Sequence, residues 1–308
     1  MALHAGFDMG GTELKYGLVN NRGKVLFSSS TPTPERIPDL WKSIESILKS
    51  LKEETSTPIA SAGFGFPGIF DIKKKMIHQS PNYQELNKVP IEPILKRIVD
   101  VPFTIHNDAN MAAYGEHQAG AGHKLDSMVL LTIGTGVGSG VILGGKLWEG
   151  ACGFAGELGH ITVNPGGEPC NCGSQGCLET EVSGGTIVKN YQKLTGISTS
   201  MTAKDVFQRA RKGDKQAEKA FSIAGTYLGI GLSIVINLLN PEKILLGGGV
   251  MKAGKLLLDP TLKETKKRAY SSSYSCCSIE KGTLGNQAGF IGAALWAKKK
   301  SATLSSKF

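Results

Sequence analysis

The sequence predicts an α/β protein built on a repeated strand and glycine-turn unit, with a metal-clamped loop in its second half. Three observations carry this. Apolar strand-like runs alternate with amphipathic helical runs along the chain. A pattern of strand, glycine turn, strand, Gly-Lys and strand occurs twice. One histidine and three cysteines share a glycine-rich stretch. The 308 residues leave room for two domains at about 150 residues each. With 40% hydrophobic and 20% charged residues they can bury a core, which excludes a disordered chain. Glycine is in excess at 40 residues, and sixteen of these lie between Gly134 and Gly185. They follow no three-residue period, so a collagen-like chain is excluded and close backbone approach is the better explanation.

The first half opens with strands at Ala5 to Phe7 and Tyr16 to Val19, around the turn Asp8-Met9-Gly10-Gly11-Thr12. A second turn, Asn21-Arg22-Gly23, leads to a strand over Lys24 to Phe27. After the proline-rich loop Thr31 to Pro38, Leu40, Ile44, Ile47, Leu48 and Leu51 share one face of a helix running from Asp39 to about Lys52. Ile59 to Phe66 reads as a strand that stops at Pro67-Gly68. Phe103 to His106 reads as another, ending in Asn107-Asp108 and passing into a helix from Ala109 to about Gln118. Polar groups at the carboxyl end of such a strand suit a ligand crevice.

In the second half the opening pattern returns as Val129 to Ile133, Gly134-Thr135-Gly136-Val137-Gly138, Gly140 to Leu143 and Gly145 to Trp148. Two such hairpins, one from each of two lobes, could face each other across a cleft and offer N–H groups to phosphate oxygens. Either alone reads equally well as an ordinary hairpin. Neither fits a P-loop or the dinucleotide fingerprint. Phe221 to Leu239 is apolar but interrupted by Ser222, Thr226, Ser233, Asn237 and three glycines, which predicts a buried helix and not a membrane span. Beyond Asn240-Pro241 come a strand over Lys243 to Leu246, the triple Gly247-Gly248-Gly249, and a closing helix from Gly285 to about Lys299.

His160, Cys170, Cys172 and Cys177 form the metal motif, H-x9-C-x-C-x4-C. Three thiolates and an imidazole make a closed tetrahedral zinc set, so a structural Zn2+ is expected. Cys170 and Cys172 are separated by one residue and not two, which argues against a redox pair. Glu157 lies three residues before His160, so both would share a face of a short helical turn, and Glu179 lies two past Cys177. Cys152 reads as a small buried residue; Cys276 and Cys277 stay unassigned. The net charge of +9 is spread over short lysine runs without interleaved aromatics, more like solvated faces than a nucleic-acid site. No secretory signal is read near Met1, and with six cysteines this leads to an expected cytoplasmic location, with no membrane partner.

These residues together resemble the ROK family of repressors, open reading frames and kinases. The matching motifs are Asp8 to Thr12, Asn107-Asp108-Ala109-Asn110, Gly134 to Gly138, Glu157-Leu158-Gly159-His160, Cys170 to Glu179, and Gly247 to Gly249, in the family's order. The resemblance implies a two-lobed actin-like ATPase (ribonuclease H-like) fold with ATP in the cleft. By it, Asp8, Gly10, Gly11 and Thr12 with Gly134, Thr135, Gly136, Val137 and Gly138 hold the phosphates. Asp8 then lies near Mg2+, and Gly247, Gly248 and Gly249 lie at the adenosine. Gly68, Asn107, Asp108, Glu157, His160 and Glu179 contact the sugar, with His160 also on the zinc. Asp108 is the general base for the attacking hydroxyl.

The implied function is an ATP-dependent hexose kinase. Asn107 to Glu116 looks most similar to the family's glucokinase branch, so the expected product is glucose 6-phosphate. N-acetylglucosamine, N-acetylmannosamine and fructose kinases share the sugar-contacting positions and remain alternatives. A sugar-responsive regulator is the alternative of a different class. The family's regulators carry a helix-turn-helix domain ahead of the first strand, and none is expected before Ala5. The first lobe is expected to span residues 1–120 with 288–308, the second 121–287, and the family resemblance implies a homodimer.

Overall fold

A computed structural model describes residues 2–80 and 83–305. The elements run in chain order as β1 (Leu3–Met9), β2 (Glu13–Asn20), β3 (Val25–Pro32), α1 (Ile37–Glu53), β4 (Ile59–Phe66), β5 (Ile69–Asp71) and β6 (Met76–Gln79). Then come α2 (Glu92–Ile98), β7 (Phe103–Asn107), α3 (Asp108–Ala119), β8 (Ser127–Ile133), β9 (Val137–Leu143) and β10 (Lys146–Leu147). After a long irregular segment follow α4 (Leu178–Val182), α5 (Gly184–Thr195), α6 (Ala203–Arg211), α7 (Lys215–Leu239), β11 (Lys243–Gly247), α8 (Lys255–Arg268), α9 (Ser271–Ser275), β12 (Ser278–Lys281) and α10 (Ala288–Ser305). Contacts group these into two units. One is Met1–Ser127, Gly140–Gly156 and Gly282–Phe308; the other is Met128–Ser139 and Glu157–Lys281.

The first unit holds a sheet in the order β3-β2-β1-β4-β7. β1 pairs antiparallel with β2 and parallel with β4, and β4 pairs parallel with β7. Phe7, Phe64 and Phe66 on the sheet pack with Leu40, Ile44, Leu48 and Leu51 of α1, so the helical stripe read in the sequence is its buried face. α10 lies on the sheet so closely that a Cβ on Gly63 would come 1.9 Å from the carbonyl oxygen of Ala293. Only glycine permits that approach. Gly140–Gly156 joins this unit, where the sequence reading sets it within 121–287. Glu149 bonds His106, and the carbonyl of Cys152 accepts from the N–H of Ile72.

The second sheet runs β10-β9-β8-β11-β12, with β11 parallel to both β8 and β12. In the second unit α7 packs on α8, and a Cβ at Gly225 would meet the Leu257 carbonyl oxygen at 2.6 Å. Asp214 caps α7 by accepting from the N–H groups of Gln216 and Ala217, and Asn240 ends it in the left-handed region at φ 43°. α7 is long and apolar enough to cross a bilayer by length and composition alone, with half of its most apolar stretch buried. Phe221, Leu228, Leu232 and Ile236 are enclosed, as the sequence predicts for a core helix. α10 begins at Ala288 and not at Gly285, because Gly285–Gln287 forms a separate 3-10 turn.

Candidate active site

In the first unit the site residues gather at the carboxyl ends of β1 and β7. Asp8 stands opposite Lys15 across the β1–β2 ladder. A Cβ on Gly289 of α10 would sit 2.5 Å from the Asp8 carboxylate, so glycine there lets the helix close over the acid. Burial pushes the Asp8 carboxyl up to about 6, against the opposing pull of Lys15. A crowded carboxylate so placed fits a divalent cation, whose charge would restore its ionised form. In the following turn Gly10 spends its N–H on the Glu13 carbonyl at 2.9 Å, while Gly11 and Thr12 are exposed.

Asn107 and Asp108 sit where β7 becomes α3. Asn107 caps the helix by accepting from the N–H of Asn110 at 2.8 Å. Its amide nitrogen donates to the Gly68 carbonyl at 2.9 Å and to Asp108 Oδ1 at 3.1 Å. Asp108 Oδ1 also accepts from the N–H of Ala109 at 2.8 Å. Gly68, Asn107 and Asp108 are thus one bonded group, and the half-buried Asp108 is held at a helix N-terminus, where negative charge is favoured.

In the second unit the Gly134–Gly138 loop is braced from three directions. Gly134 donates its N–H to the Gly136 carbonyl, Gly184 donates to the Gly134 carbonyl, and Val137 donates to Glu179 Oε2 at 2.8 Å. The loop's own Gly134 and Val137 N–H groups are thus spent within the protein, so the loop does not present every N–H to a ligand. A Cβ on Gly248 would meet the N and carbonyl oxygen of Ile133 at 2.5 and 2.3 Å, which brings the Gly247–Gly249 loop against the end of β8.

Glu157 precedes a 3-10 turn, Leu158–His160. Burial raises the Glu157 carboxyl, the nearby His160 opposes that rise, and Glu179 adds to it, so these three residues share one electrostatic neighbourhood. A Cβ on Gly159 would touch the Val137 carbonyl oxygen at 2.2 Å, which sets the turn directly on the glycine loop. The ligand atoms of His160, Cys170, Cys172 and Cys177 lie within 4.8 Å of one another. His160 directs Nδ1 at Cys170 Sγ, 3.6 Å away, and Cys172 and Cys177 sulfurs are also 3.6 Å apart. Burial and the neighbouring thiols together push the Cys177 thiol up, an arrangement that a central cation would reverse. A Cys3His set this tight fits zinc.

Several residues near these groups carry no signal in the sequence. His106 bonds Glu149 behind Asn107. Ser139 accepts from the N–H of Leu158 at 3.1 Å. Ser183 and Gly184 open α5 against Gly134, which only the Ser-Gly-Gly triplet hints at. Cys276 and Cys277 lie apart from the metal cluster, on the stretch leading to β12.

The model of the ROK family matches residues 4–300. The chain is 33% identical over 316 residues to a glucokinase of Halalkalibacterium halodurans, covering 96% of this chain and 95% of that protein. It is 29% identical to a xylose repressor of Caldicellulosiruptor bescii, over 93% of this chain and 76% of that one. Among solved structures, a ROK family glucokinase from Streptomyces griseus in complex with glucose and AMPPNP superposes with a TM-score of 0.84. The two are 32% identical, with 96% of this chain and 99% of that chain covered.

Proposed function

The chain belongs to the ROK family and has its two-lobed actin-like fold, and from that premise we propose that it is an ATP-dependent glucose kinase forming glucose 6-phosphate. One observation carries the reading. Asp108 is fixed by Asn107 and Ala109 at the first position of α3, within a chain that aligns end to end with a glucokinase solved with glucose and an ATP analogue.

Asp108 accepts the proton of the sugar hydroxyl as that oxygen attacks the γ-phosphorus of ATP, and the bond from phosphorus to the bridging oxygen of ADP breaks. Asn107 and Gly68 orient the sugar from the same side, while Glu157, His160 and Glu179 bind its remaining hydroxyls. Asp8, Gly10, Gly11 and Thr12, the Gly134–Gly138 loop and Gly247–Gly249 hold the nucleotide. Asp8 is the carboxylate suited to Mg2+, which when bound neutralises charge on the phosphates. His160, Cys170, Cys172 and Cys177 would hold Zn2+, which would supply a rigid crosslink and leave His160 Nε2 to orient toward the sugar.

The protein acts in the cytoplasm as a homodimer, without nucleic-acid or membrane partners. Supporting this are six cysteines that form no disulfide and the exposed apolar side chains of Ile234, Leu238 and Tyr270. The deciding experiment is a hexose panel assayed by coupled ADP release and ranked by kcat/KM. Glucose is expected first. Turnover confined to N-acetylated hexosamines or fructose moves the substrate but keeps the mechanism. Sugar binding without turnover of any hexose overturns the kinase in favour of a regulator.

A further inference from the structure

His106 and Glu149 take no part in the chemistry above, yet they are bonded directly behind it. The side chain of His106 is 3% exposed and lies edge-on to Trp296 of α10, with ring centroids 5.5 Å apart. Its Nδ1 accepts from the backbone N–H of Asn107 at 2.8 Å, so that nitrogen carries no proton. In the neutral ring the proton is then on Nε2, which donates to Glu149 Oε1, also at 2.8 Å. Bonding to His106, and then the charges of Lys300 and Lys299, hold the Glu149 carboxyl below the usual range.

The bonds continue without a break. Asn107, its peptide N–H fixed by the ring before it, caps α3 through Asn110 and donates to Gly68 and Asp108. We infer that the Glu149–His106 pair is a positioning device that locks the imidazole tautomer needed to hold the Asn107 peptide and, through Asn107, the carboxylate of Asp108. The carboxylate is the deciding partner. Without an acceptor at Nε2 the ring is free to carry its proton on Nδ1, and that N–H would oppose the N–H of Asn107. The peptide plane would then turn, and the cap and the Asp108 contact would turn with it. A shift of about 1 Å at the base suffices to slow a positioned reaction by roughly 100-fold.

This inference rests on the kinase reading, and the experiment separates the two. Wild type, Glu149→Ala, Glu149→Gln, His106→Ala and His106→Asn are compared by steady-state kinetics with glucose and ATP, with melting temperatures measured in parallel. Glutamine keeps an acceptor oxygen for Nε2, and asparagine keeps one near the position of Nδ1. Glu149→Ala and His106→Ala are expected to lower kcat by about 10-fold or more, with KM for ATP changed less than about 3-fold. Glu149→Gln should recover to within about 3-fold of wild type, and His106→Asn should exceed His106→Ala. Wild-type kcat in Glu149→Ala overturns the inference. So does a folded Glu149→Gln as slow as the alanine variant, since charge and not the hydrogen bond would then matter. An inactive wild type would instead sink the kinase reading.

Discussion

The backbone N–H of Val137 donates to Oε2 of Glu179 at 2.8 Å, so one carboxylate ties the Gly134–Gly138 loop to the first turn of α4. The family resemblance implies only a sugar contact for Glu179. With one oxygen on the glycine loop, the same residue links the proposed sugar and phosphate contacts within one unit.

Substituting Glu179 by Ala is therefore expected to raise KM for both glucose and ATP. Losing a hydrogen bond to a charged acceptor costs about 1.5 kcal/mol or more, or roughly tenfold. A rise confined to glucose, seen by varying each substrate at saturation of the other, would reduce Glu179 to a sugar contact.

Asp108→Asn keeps the shape of the side chain and removes the base. Turnover should fall at least about 100-fold, the lower end of what a general base contributes, while glucose binding by calorimetry changes little. Near-normal kcat in this variant would remove Asp108 from its role.

Asp8 gives a stability profile with a definite sign. Its carboxyl rises from the ordinary 3.8 to about 6 in the folded chain, which therefore binds more protons than the unfolded chain across that interval. In magnesium-free buffer the contribution of Asp8 is greatest below pH 3.8 and is lost as pH climbs through 6. Melting curves of wild type and Asp8→Asn should diverge over this window, with the asparagine variant the less sensitive and the more stable at pH 7.5. Parallel profiles would contradict the burial assigned to this acid.

The metal loop has a direct test. Purified protein should hold about one zinc per chain by elemental analysis, and Cys172→Ser should lose it. Because His160 is both a proposed ligand and a neighbour of Glu157, KM for glucose should rise in that variant as the turn loosens. Protein free of zinc but fully active would remove the clamp from the mechanism.

Glu116, 1% exposed, accepts from the N–H of Ala121 at 3.0 Å, the N–H of Leu284 at 2.8 Å and the hydroxyl of Thr283 at 3.3 Å. It joins the segment leaving α3 to the segment entering α10. Glu116→Ala strands the two backbone donors at about 1–3 kcal/mol each, while the exposed Thr283 hydroxyl turns to water, so a loss of at least about 2 kcal/mol is expected in urea unfolding. A loss under about 1 kcal/mol would mean that water replaces the carboxylate without penalty.

Elements with a strong local pattern were legible. α1 shows its apolar stripe, β4 stops at Pro67, and α7 carries an apolar run bounded by Asn240-Pro241. α8 was not, because Pro260 interrupts it and only Leu257, Thr261 and Thr265 are buried. Nor were the short strands β5, β6 and β12, whose three or four residues are too few for a period to register.

The sequence by itself determined the His160, Cys170, Cys172 and Cys177 cluster that fits zinc, the Asn107-Asp108 step from strand to helix, the glycine loops and the family. All of these are written in residues close together or in motifs of fixed spacing. Only the tertiary structure decided that Glu149 reaches back 43 residues to His106, that Glu179 reaches back 42 to Val137, and that Glu116 holds Leu284 from 168 residues away. The reason is physical. A carboxylate has no periodicity to announce its partner, and its role is set when sheet order and crossing segments bring a distant N–H within 3 Å.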